Sequence, residues 1–110
     1  EIEGSIDLAR FKTIIKEDPE SVMLIDTRDP DEFKKGSFET AVNMTIDELE
    51  QNVDELPSDR PVVFVCSTGA RSGEAYYMIQ DLRPSLDNVY YVEAQIDFHK
   101  DGSYDIKKNE

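Results

Sequence analysis

The chain has 110 residues, enough for one modest core and too few for two, so a single domain over residues 1–110 is expected. Its 25 Asp and Glu stand against 12 Lys and Arg, a formal net charge of -13. Nucleic acids and anionic membranes are recognised through clustered positive charge, so no nucleic-acid partner is expected; a basic partner is steered favourably, and a small anion has to be held by local dipoles and one or two cations.

Ser5 is a capping residue for a helix over residues 6–17, in which Ile6, Leu8, Phe11, Ile14 and Ile15 supply most of an apolar face, and Asp18 and Pro19 end it. Val22 to Ile25 is a short continuous apolar run, as in a strand buried on both faces. "DTRDPDEFKKG" follows as a polar loop and a short helix begun by Pro30. A second strand is expected around Ala41 to Met44. Thr45 and Glu48 then have capping-box spacing, which starts a helix near Ile46.

Pro57, Ser58 and Pro61 break the chain before Val62 to Val65, its most apolar strand. That strand runs into Cys66, a turn of small residues, and a helix from about Ser72 to Leu82, closed by Pro84; "NVYYV" reads as a further strand. Strands alternating with helices predict an α/β fold, a parallel sheet covered by helices on both faces. In the tail, Ile96 and Phe98, then Asp101 and Gly102, then Tyr104 and Ile106, predict a C-terminal β-hairpin over about 94–108. No apolar run nears the roughly 20 residues that span a bilayer, so no membrane insertion is expected; cytoplasm and periplasm both fit. The start at Glu1, with neither methionine nor signal sequence, suits a processed product or an excised domain.

One cysteine rules out an internal disulfide, and Cys66 is buried and inert, reactive, or joined to another chain. Burial alone favours an inert thiol at the end of a core strand. The neighbours favour a reactive one. Ligands of open parallel sheets bind beyond the carboxyl ends of the strands, and Cys66 falls at such a place. Ser67, Thr68, Gly69, Ala70 and Ser72 are small, so their backbone N–H groups can curl around one anion, with Gly69 free to take a conformation closed to other residues. The same anion meets the positive end of the helix, and a thiolate there has a lowered pKa. His99, the only histidine, falls in the hairpin turn and reads as a solvated loop residue. There is no metal-ligand spacing and no Gly-Lys-Ser/Thr phosphate loop, and neither metal nor cofactor is expected.

"CSTGARS" resembles the active-site loop of rhodanese-domain sulfurtransferases. The similarity extends upstream to "LIDTRDPDEFKKGSFETAVNM", where Asp26, Arg28, Glu32, Phe33, Gly36, Ala41 and Asn43 match a second signature of that family. The sequence departs from it at Gly36-Ser37-Phe38, where Gly-His-Ile is common. It departs again at "YYVEAQIDF", which lacks the usual Gly-Gly pair and the nearby Trp, so that wall of the pocket is expected to be built differently.

The resemblance implies a rhodanese-like fold and sulfur transfer through a Cys66 persulfide. The donor is thiosulfate, polysulfide or a persulfide; the acceptor is a thiol, cyanide, or a protein sulfur carrier. It also implies that Arg71 braces the loop by pairing with Asp26, with Arg28 in the same network. Ser67 and Thr68 are neutral where thiosulfate-preferring relatives often carry cations, which points to a weak thiosulfate reaction. Tyrosine phosphatases have five residues between Cys and Arg. Here Ser67, Thr68, Gly69 and Ala70 make four, a cradle better sized for one sulfur than for phosphate. A non-catalytic rhodanese-like binding module is the alternative from another class. The oligomeric state is not legible in the sequence.

Overall fold

Val62–Val65 has no polar position, and such a run is stable as a strand only with both faces covered. The computed structural model, which describes residues 4–108, places it at the centre of a four-stranded parallel sheet. In chain order the elements are α1 (Leu8–Glu17), β1 (Met23–Asp26), α2 (Pro30–Lys35), β2 (Val42–Asn43), α3 (Ile46–Gln51), β3 (Val62–Val65), α4 (Ala70–Leu82), β4 (Val89–Tyr91), β5 (Ala94–Phe98) and β6 (Tyr104–Lys108). The sheet runs β2-β1-β3-β4, and the β1–β3 register sets Asp26 beside Val65. Both central strands therefore end at one level, with Asp26 on it and Cys66 just beyond.

Alternate residues of the central strands feed two cores. Leu24, Val63 and Val65 pack with Phe11 of α1 and with Val92, Ala94 and Ile96. Ile25, Val62 and Phe64 pack with Leu49 of α3 and with Ala75 and Ile79 of α4. Burying side chains of this kind contributes about 1.5–3 kcal/mol each. The sheet is thus covered on both faces, as its apolar strands require.

β5 and β6 form the expected antiparallel hairpin, with Ile96 opposite Ile106 and Phe98 opposite Tyr104. Phe38 anchors it, its ring meeting Phe11, Phe98 and Tyr104 edge-on at centroid distances of 5.7, 5.0 and 4.7 Å. The departure from the family pattern at Phe38 thus supplies the contact that seats the hairpin on the sheet.

Thr45 and Glu48 make the predicted capping box, Glu48 N–H donating to Thr45 Oγ1 at 3.4 Å and Thr45 N–H to Glu48 Oε1 at 3.2 Å. The first helix differs from expectation. It starts at Leu8 with Asp7 as its cap, whose carboxylate accepts from Arg10 N–H at 3.0 Å. Ser5 instead pairs in parallel with Tyr91: Ile6 N–H donates to Tyr91 O and Tyr91 N–H to Gly4 O, both at 3.0 Å. Bonds to the edge of β4 hold this segment extended, and so the helix begins three residues after Ser5. Among the described residues no helix is long and apolar enough to cross a membrane.

Candidate active site

β3 delivers Cys66 to the mouth of α4, where the first N–H groups of the helix lack partners within it. Gly69 precedes the helix at φ +100°, a conformation other residues rarely adopt. Having no side chain, it cannot cap the helix, and the Cys66 sulfur takes that place. Gly69 N–H donates to Sγ at 3.0 Å and Ser72 N–H at 3.4 Å. Ala70 N–H is turned to Thr68 Oγ1 at 3.3 Å, so the cradle uses fewer of the loop's amides than the run of small residues suggests.

Cys66 is 1% exposed. Burial pushes the thiol up, and it is the largest single influence. The Ser72 hydroxyl together with the N–H groups of Ser72, Thr68 and Gly69 outweighs it, and the net shift is downward. The loop therefore favours thiolate despite its burial. As a thiol, Sγ donates to Ser72 Oγ at 3.5 Å, and that hydroxyl donates to Val92 O at 3.3 Å. A hydroxyl has one proton, so stabilising the thiolate requires it to turn from Val92 O to Sγ.

Arg71 does not pair with Asp26. Its Nη1 donates to Glu32 Oε1 at 2.7 Å, and its Nη2 to Glu32 Oε2 at 3.2 Å and to Ser67 Oγ at 3.1 Å. Chiefly through these bonds to Arg71, and against a smaller cost of burial, the Glu32 carboxyl falls from 4.5 to about 2. Asp26 is taken by Arg28 instead: Arg28 Nε donates to Oδ1 at 3.0 Å, Nη2 to Oδ2 at 2.8 Å, and the Arg28 N–H to Oδ1 at 3.0 Å. At two residues' separation Arg28 can fold back to satisfy a fully buried carboxylate, and Arg71 is left to Glu32. Glu32 matched the second family motif, yet nothing in its sequence setting distinguished it from Asp29 and Asp31 as the partner.

The chain after β4 packs directly against the loop. Ile96 N–H donates to Ser67 O at 2.8 Å, and a side chain at Gly69 would press on Val92 O and Glu93 Cα at 3.2 Å. Arg28 Nη2 donates to Gly36 O at 2.6 Å, and its guanidinium lies 4.0 Å from the Phe98 ring centroid. Arg28, Glu32, Lys35, Gly36, Ser67, Ile96, Asp97 and Phe98 line an open cleft of about 250 Å3. The hairpin strand β5 thus supplies Ile96, Asp97 and Phe98 to the cleft. His99, in the hairpin turn, faces Asp105 at 2.9 Å, and that hydrogen bond raises its pKa. Among the described residues no group of His, Cys, Asp and Glu is arranged to hold a metal ion.

A parallel sheet covered on both faces, with an amide-cradled cysteine between β3 and α4, is the architecture of the rhodanese-like domain. The rhodanese-like domain family matches residues 7–97, and the chain belongs to that family. A sulfurtransferase of Allochromatium vinosum is 38% identical over 64 residues, 57% of this chain and 60% of that one. The thiosulfate sulfurtransferase GlpE of Shewanella oneidensis is 31% identical over 75 residues, 67% of this chain and 71% of that one. The matches span 41% to 64% of the length of three curated relatives, the Allochromatium protein among them. A rhodanese-related protein from Thermoplasma volcanium superposes with a TM-score of 0.67 at 28% identity, covering 83% of this chain and 84% of that one.

Proposed function

We propose that the chain is a rhodanese-type sulfurtransferase in which Cys66 carries one sulfur atom. The Cys66 thiolate attacks the outer sulfur of a donor. An S–S bond forms to Cys66 as the donor's own bond to that sulfur breaks, and the electron pair leaves with the remainder: sulfite from thiosulfate, a thiolate from a persulfide. An acceptor thiolate, or cyanide, then attacks the outer sulfur and releases the Cys66 thiolate. Both forms of Cys66 are anions, and the same N–H groups serve each, so no separate general base is required. Sulfur donors and acceptors of this kind, a protein carrier included, are the partners this chemistry needs.

The observation that carries this reading is the convergence of the Gly69 and Ser72 N–H groups on Sγ. Phosphate hydrolysis is disfavoured, since Arg71 is committed to Glu32 and Ser67 where a phosphatase needs its arginine turned toward phosphate. Incubation with thiosulfate or polysulfide, followed by intact mass measurement, tests the proposal. One added sulfur is expected on the native chain and none on Cys66→Ser. No adduct from any donor would leave the non-catalytic module as the better reading.

A further inference from the structure

A groove that takes no part in the chemistry described above lies at the other end of the sheet. Its first half is a cavity of about 490 Å3 between the end of α1, the turn Pro19–Ser21 and the hairpin, with Ile15, Phe38 and Tyr104 as its apolar lining. Its second half, about 390 Å3, shares Pro19, Glu20, Glu39 and Thr40 with the first and adds Val22, Leu24 and Val42. The two therefore adjoin, and together they run from the hairpin turn to β2, the outermost strand. Val42 on that strand is 44% exposed, a large apolar side chain left without cover. The groove is built at the starts of β1 and β2, whereas Cys66 follows the end of β3, which runs parallel to them. None of the groove's residues lines the cleft of Arg28 and Ser67.

Its charge is of one sign. Glu17, Asp18, Glu20 and Glu39 all line the first cavity, and among the described residues none of the four has an ion-pair partner. Arg60 is the one cation among the described residues along either half, at the far end, and its Nη1 donates to Glu20 O at 3.1 Å.

We propose that this groove docks an extended basic segment of a partner protein, in which lysine or arginine side chains alternate with apolar ones. The apolar side chains cover Ile15, Tyr104 and Val42, and the cations meet the carboxylates. Two cavities in series suit a stretch of chain better than a single small cation, and the Tyr104 ring offers a cation a further favourable contact. The net charge of -13 draws a basic partner from a distance, while the groove fixes where it lands. A partner held here leaves the loop at the opposite end of the sheet open. The proposal therefore stands apart from the sulfur-carrier reading, and neither falls with the other.

The test titrates the full chain with a capped hexapeptide of alternating leucine and lysine, at about 0.15 M salt, where the Debye length is about 8 Å. Amide nitrogen-15 shifts are the readout. Saturable shifts are expected at Ile15, Glu20, Thr40 and Gly102, with Gly69 and Ser72 unmoved. In Glu20→Lys/Glu39→Lys, both exposed positions, affinity should fall by roughly tenfold, the scale of two ion pairs at a wet rim. The control, Glu50→Lys/Asp81→Lys, makes the same change in net charge in the last turns of α3 and α4, where helices tolerate cations. It should leave affinity within about twofold, since those positions lie off the groove. Equal losses in the two double variants would mean that net charge alone attracts the peptide, and they overturn the proposal. Equal affinity for hexalysine or spermidine overturns it too, by making the groove a sink for any polycation. Shifts that fall elsewhere, or none that saturate, do the same.

Discussion

At the Cys66 sulfur, burial opposes ionisation and four hydrogen-bond donors promote it, and the donors prevail. Of these, only the Ser72 hydroxyl can be removed without disturbing the backbone. Ser72→Ala is therefore expected to raise the Cys66 pKa and lower the thiolate fraction near neutrality. The pH dependence of Cys66 alkylation reads this directly, and an unmoved midpoint would mean that the hydroxyl stays on Val92 O. The thiol, its loop and the role of Gly69 were legible in "VVFVCSTGARS" because they depend on near neighbours. The partner of Arg71 was not, since Glu32 lies 39 residues away and its selection follows from Asp26 being claimed by Arg28. Arg71→Ala and Glu32→Gln should each slow persulfide formation, and together by less than the product of the two, with a coupling on the order of 0.5–3 kcal/mol. Both side chains are about a third exposed, so their effect on stability should be small. The sign with pH is fixed by the carboxyl's fall from 4.5 to about 2: whatever stability the pair supplies is complete above 4.5 and is lost as pH drops toward 2.

Among the elements, the hairpin has the most to do with the shape of the site. Its existence could be read from alternating residues about Asp101-Gly102, but its docking could not, because that depends on the distant Phe38 and on Ser67 O. The start of α1 was missed for a similar reason: Ser5 and Asp7 are equally good caps locally, and bonds to Tyr91 choose between them. Phe98 joins the hairpin to both Phe38 and Arg28. Phe98→Ala is expected to cost about 2 kcal/mol, less than truncating a fully buried phenylalanine. Because Phe98 also supports the Arg28 guanidinium and lines the cleft, the same change should slow sulfur transfer by the folded chain. Urea unfolding and sulfur transfer, measured on one preparation, separate these effects. An unchanged transfer rate would place the hairpin's role in general stability.

At the scale of the whole molecule, a net charge of -13 surrounds a site that, on the proposed mechanism, handles anions at every step. The field of the chain repels a small anion while it is far away, and the loop and the cleft attract it only at contact. These two contributions respond differently to salt. The Debye length is about 30 Å at 0.01 M and about 8 Å at 0.15 M ionic strength, so salt removes the long-range repulsion while leaving the short contacts mostly intact. Loading of Cys66 by thiosulfate, a dianion, should therefore accelerate as ionic strength rises over this range, by several-fold. Discharge to cysteamine, a cation, should slow over the same range, and discharge to 2-mercaptoethanol should move least. Most proteins that bind anions use a positive field and lose rate when salt is added. A thiosulfate rate that fell with salt here would mean that Arg28, Lys35 and the start of α4 dominate the approach as well as the contact, and that the acidic surface plays no part in selecting the donor.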